Sequence, residues 1–78
     1  MLRVYLIQAV DKEGFLVYEG RDFVVPAFNK KEAIDIFNKL KSVYEIYSVR
    51  IGNKKEIAQK WDIEKLYNRQ IEALKEME

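Results

Sequence analysis

Apolar residues fall into six runs along the chain, and the spacing within each run predicts strand or helix. Residues 2–10 and 15–19 are rich in β-branched and aromatic types and are separated by Asp11-Lys12-Glu13-Gly14, a polar loop with the character of a hairpin turn. In the first strand Leu2, Val4 and Leu6 share one face and Tyr5, Ile7 and Ala9 the other, so both faces are apolar, as in a central or partly covered strand. Gly20-Arg21-Asp22 interrupts the pattern, either as a second tight turn or as a bulge in one long strand, before strand character resumes from Phe23 to Ala27. Pro26, lacking a donor, fits a sheet edge or the exit toward a helix.

From Lys30 to about Lys41, Ala33, Ile34, Phe37 and Leu40 recur at helical spacing, with Ile36 widening the stripe. Val43 to Ile51 reads as a strand with Tyr47, Val49 and Ile51 toward the core and Ile46, Ser48 and Arg50 on the other side; Gly52 ends it. The last segment, Lys54 to about Met77, has no Gly or Pro and is rich in good helix formers, which predicts one long helix. Its core arc is Ile57, Trp61, Ile63, Tyr67, Ile71 and Leu74, with a second stripe of Leu66, Ala73 and Met77 beside it. A helix of some 24 residues at 1.5 Å each is about 36 Å long, so its far end is expected to project or to meet a partner.

The tetrapeptide Asn-Lys-Lys-Glu occurs at Asn29–Glu32 and again at Asn53–Glu56, each time between a strand-like and a helix-like run. In each copy Asn is placed to accept from a first-turn amide, and Glu to reach back to the Asn amide, so two capped helix starts are predicted. The expected fold is a single α+β domain over residues 1–78, with a small antiparallel or mixed sheet of three to four strands and both helices on one face, in the order ββ(β)αβα.

Composition narrows the chemistry. A chain of 78 residues buries only about 60–65% of the surface its unfolded form exposes, yet 49% of this one is hydrophobic, enough for a small core. The apolar start meets Asp11, Lys12 and Glu13 too early for a signal peptide or membrane span, and a cytoplasmic location is expected. Net charge is +1, spread evenly along the chain, so gross charge calls for no polyanion. There is no histidine and no cysteine, which removes the usual general base near neutral pH and the easiest nucleophile. No spacing matches a calcium loop, a zinc site, a phosphate-binding loop or a dinucleotide fingerprint. The expectation is a protein that is not an enzyme and takes no cofactor and no metal.

Two surfaces remain as candidates. Lys30, Lys31, Lys54 and Lys55 sit in first helical turns, where the macrodipole ordinarily favours acids. If the strands flanking the first helix are parallel neighbours joined by a right-handed crossover, both helices start at one sheet edge, which then suits phosphate or a nucleic-acid backbone. The second candidate is a protein interface. Five tyrosines, four phenylalanines and one tryptophan exceed what one core face needs. Tyr18, Tyr44 and Ile46 are expected on a sheet surface that neither helix covers, and Leu66, Ala73 and Met77 are expected either as core under a curved sheet or as the seam of a homodimer through the C-terminal helix.

The stretch Phe23-Val24-Val25-Pro26-Ala27-Phe28-Asn29-Lys30-Lys31-Glu32-Ala33, a strand ending in Val-x-Ala and running through a capped start into a helix, resembles a pattern in small phage or mobile-element proteins of hairpin, helix, strand, helix layout. Roughly residues 1–52 take part. The resemblance implies a non-catalytic protein that binds a host enzyme or defence system directly, as anti-CRISPR inhibitors do. It assigns no functional residue.

Overall fold

The computed structural model describes residues 2–11, 20–52 and 62–77. Three strands and two helices follow in the order β1 (Arg3–Asp11), β2 (Gly20–Ala27), α1 (Lys30–Leu40), β3 (Tyr44–Ile51) and α2 (Ile63–Glu76). The protein is an α+β domain with an antiparallel sheet in the order β2-β1-β3 and both helices on one face. β1 is the central strand, as its two apolar faces predict.

β1 pairs with β2 from Arg3↔Ala27 to Val10↔Gly20 without a break. The interruption expected at Gly20-Arg21-Asp22 is therefore absent: these residues continue the strand, and Gln8 donates from Nε2 to Asp22 Oδ1 across it at 3.1 Å. The strand expected over 15–19 lies outside the described residues; β1 takes 20–27 as its partner. β2 and β3 run parallel to each other, but β1 lies between them, so the parallel neighbours considered from the sequence are instead the outer strands of a split arrangement.

The β1–β3 register runs from Tyr5↔Ile51 to Gln8↔Ser48, then shifts to Ala9↔Ile46, leaving Tyr47 as an extra residue. This bulge breaks simple alternation. Tyr44, Ile46 and Val49 pack toward the core, whereas Tyr47 is 54% exposed and Ile51 58% exposed. Of the expected core face of Tyr47, Val49 and Ile51, Val49 packs inward and Ile51 keeps that face but is exposed at the strand end, while the inserted residue turns Tyr47 outward and exchanges the faces of the residues before it.

The core lies between sheet and helices: Tyr5, Ile7, Ala9, Val25 and Ala27 from the strands meet Ala33, Ile36 and Phe37 from α1. Phe23 makes edge-to-face contacts with Phe37 at 5.0 Å and Tyr44 at 5.1 Å. Tyr67, Ile71 and Leu74 of α2 pack on this cluster, and Ile63 is buried, in line with the predicted core arc; Ile57 and Trp61 lie outside the described residues. The opposite sheet face is not bare. Val4 is 1% exposed, Pro26 is fully buried, and Leu6 and Val10 are half-buried.

Asn29 caps α1 as predicted, its side chain accepting from the Glu32 amide at 2.8 Å. Glu32 reaches back one residue further than a capping box requires, accepting from the Phe28 amide at 2.8 Å. The second tetrapeptide copy, Asn53–Glu56, lies outside the described residues. α2 does not run unbroken from Lys54: Asp62 has extended backbone dihedrals and caps the helix, accepting from the Lys65 amide at 3.1 Å. At 14 residues α2 is about 21 Å long, and Leu74 in its last turn is docked on the core.

Candidate functional site

The lysine edge is only partly assembled among the described residues. Ala27 lies opposite Arg3 and Ile51 opposite Tyr5, so β2 and β3 both end where β1 begins. α1 leaves from this end, and α2 begins beside it, with Glu64 and Tyr67 lining an open cleft of about 350 Å³ together with Leu2 and Phe28. Lys30 and Lys31 are exposed there; Lys54 and Lys55 lie outside the described residues. Of the first-turn amides that face an anion at a bare helix start, that of Glu32 is already engaged here. Asn29 holds the Glu32 amide, and the Glu32 carboxylate itself bridges the Phe28 amide and the Tyr67 hydroxyl, which donates to Oε2 at 3.0 Å. A fixed carboxylate at that position opposes a second anion.

Glu32 and Tyr67 belong to a clasp that the sequence reading missed. Phe28 packs edge-to-face on Tyr67 at 5.2 Å, and Gln70 donates from Nε2 to the Pro26 carbonyl at 2.9 Å. Burial, then the hydrogen bond to Glu32 and its negative charge, pushes the Tyr67 pKa above its ordinary 10.0. Through these contacts α2 closes the outer side of β2. Pro26 sits where its absent N–H costs nothing: Val4 turns its carbonyl toward Gly52, the residue after β3, accepting at 2.8 Å, so its partner Pro26 points its own backbone outward, to Gln70. Between β2 and α1 lies a small apolar cavity of about 150 Å³, lined by Phe23, Val25, Phe37, Leu40 and Gln70 among others.

The expected protein-interface residues separate. Tyr44 and Ile46 lie on the helix-covered face and pack against the core, contrary to the uncovered surface expected for them. The Tyr47 bulge is the reason, since it turns them inward. Tyr18 lies outside the described residues. On α2, Leu66 and Ala73 are half-buried and Met77 is 62% exposed. The open groove along α2, lined by Asp62, Glu64, Lys65, Arg69 and Glu72, is a mixed-charge solvated face.

The most exposed apolar strand is β3, which forms one edge of the described sheet. Five of its eight residues, Tyr44, Ile46, Tyr47, Val49 and Ile51, are aliphatic or aromatic, and no residue of the strand is buried. Gly52 donates to Val4, so the pair is hydrogen-bonded, and alternation directs the backbone groups of Ser48 and Arg50 toward β1 and those of Val49 and Ile51 outward. Beyond the bulge Ile46 and Tyr44 share the face of Val49 and Ile51, and with it the outward direction. The Tyr44 amide is engaged with the Lys41 carbonyl at 3.0 Å. Among the described residues no cluster of three or more potential metal ligands occurs, and no helix is long and apolar enough to cross a membrane. Comparison with protein-family models, with curated proteins and with solved structures gives no match for this chain.

Proposed function

We propose that this domain is a non-catalytic protein-binding module that grips its partner through the outer edge of β3. One observation supports the reading: among the described residues a strand of Tyr-Glu-Ile-Tyr-Ser-Val-Arg-Ile forms a sheet edge with no residue buried. Outward backbone donors and acceptors beside Tyr47 and Ile51 suit strand addition, in which main-chain hydrogen bonds supply affinity and alternate side chains supply selectivity. The absence of histidine and cysteine from the sequence agrees with a binding role. The resemblance to small phage proteins extends the proposal to an inhibitor of a host enzyme or defence system, of the anti-CRISPR kind, acting in the cytoplasm.

Affinity capture from source cells with the parent chain and with the double variant Tyr47→Arg, Ile51→Arg tests this reading. Both side chains are exposed, so the variant keeps its fold. A stoichiometric protein retained by the parent and lost by the variant supports the edge. Equal retention by both, or retention of neither a second copy of this chain nor another stoichiometric protein, counts against it. The second reading, phosphate or nucleic-acid binding, rests on exposed Lys30 and Lys31 at the helix-start end of the sheet. Low-salt binding that survives Lys30→Gln, Lys31→Gln removes it.

A further inference from the structure

The β3 edge is complementary to itself, and we infer that its partner is a second copy of this chain, paired antiparallel about a two-fold axis between Tyr47 and Ser48. This rests on the protein-binding reading above and names the partner. In that register Ile46 faces Val49 of the other copy, Glu45 faces Arg50, and Tyr44 faces Ile51. Two of these pairs set apolar residues together and one sets an acid against a base, while at the axis Tyr47 faces Ser48 of the other copy.

Two geometric conditions restrict the choice of register, and this one meets both. A two-fold axis perpendicular to a sheet preserves faces, so residues set opposite each other must lie on the same face of β3. In a regular strand residues 45 and 50 lie on opposite faces. Here the extra residue at Tyr47 restores the match: Tyr44, Ile46, Val49 and Ile51 align with Asp11, Ala9, Ile7 and Tyr5 on one face, while Glu45, Ser48 and Arg50 align with Val10, Gln8 and Leu6 on the other. The second condition is backbone direction. Ile46 and Val49 both point outward and so form the hydrogen-bonded pairs, and the outward Ile51 amide meets the free Tyr44 carbonyl. Glu45 and Arg50 turn their backbones inward and therefore fall on the non-hydrogen-bonded sites, where opposed side chains approach most closely. Both are exposed, and neither has an ion-pair partner among the described residues. The bulge, commonly a device that spoils an edge for pairing, is here what makes the edge match its own copy.

Pairing two such edges joins the three described strands of each copy into one continuous sheet with α1 and α2 of both copies on one side. A strand pair with its flanking side chains lies toward the small end of stable interfaces, so association belongs in the micromolar range.

Charge exchange tests the register by light scattering and sedimentation equilibrium across that range. The parent chain is expected to be a dimer. Glu45→Arg and Arg50→Glu, each alone, set like charges against each other twice in the dimer and weaken it about tenfold to a hundredfold. Mixed one to one, the two variants set the introduced arginine of the first against the introduced glutamate of the second, and the first variant's native Arg50 against the second's native Glu45. Opposite charges then meet at both contacts, so the mixture returns to within about threefold of the parent. A melting curve unchanged from the parent's in dilute solution, where both are monomers, confirms that each exposed substitution leaves the fold intact. A parent chain that is monomeric throughout, variants that dimerise like the parent, or a mixture that stays monomeric overturns the inference. The first outcome, together with a different protein captured by the parent and lost with Tyr47→Arg, Ile51→Arg, leaves the protein-binding reading standing while the self-pairing falls.

Discussion

The two outer strands have the same length and direction and opposite fates. β2 is packed by α1 and α2, its Val25, Pro26 and Ala27 are buried, its outward carbonyl at Pro26 is taken by Gln70, and the missing proline donor removes one open group from its edge. β3 is packed by α1 and buries none of its residues. Among the described residues the helical cover goes chiefly to β2. An edge closed by side chains is a stability device, whereas one left open with apolar side chains is a binding surface.

Removing core volume on the closed side gives the largest expected effect. Phe37→Ala, which deletes a fully buried ring in contact with Phe23, should cost about 3–5 kcal/mol in urea unfolding. The matching deletion on the open side, Ile46→Ala at a half-buried position, should cost about 1–2 kcal/mol. Equal losses at the two sites remove the asymmetry. Asn29→Ala, which frees the Glu32 amide at the start of α1, is expected to cost about 1 kcal/mol, and Gln70→Ala a similar amount through the Pro26 carbonyl.

The clasp also has a pH signature. Because the folded-state pKa of Tyr67 is raised, the stability its neutral hydroxyl provides is complete below the unfolded-state value near 10.0 and is lost as pH rises through the higher folded-state value. Tyr67→Phe has no phenolic proton to lose, so its unfolding free energy should decline less steeply in that alkaline window. Identical slopes for parent and variant show that the Glu32–Tyr67 bond does not hold the edge of β2.

Much of this fold is written in local pattern. The two apolar faces of residues 2–10 placed β1 at the centre, Pro26 pointed to an edge, and Asn29 with the stripe of Ala33, Phe37 and Leu40 located α1. Helix propensity misled at Asp62: neither Gly nor Pro occurs between Lys54 and Met77, yet α2 starts at an aspartate whose side chain holds the Lys65 amide. The site was less legible. A bulge is decided by pairing with β1 and has no signal within residues 44–51, so the faces of Tyr44, Ile46 and Tyr47 came out reversed. The contacts of Glu32, Tyr67 and Gln70 join positions more than thirty residues apart, which no periodicity encodes.

The most direct test of an open, self-pairing β3 edge is amide hydrogen exchange of the parent chain at two concentrations, read residue by residue. The amides of Ser48 and Arg50, directed toward β1, should be slow at both, while those of Ile46, Val49 and Ile51 should exchange quickly in dilute solution and become protected when concentrated. Outward amides that stay fast at every concentration, or that are already slow when dilute, contradict it.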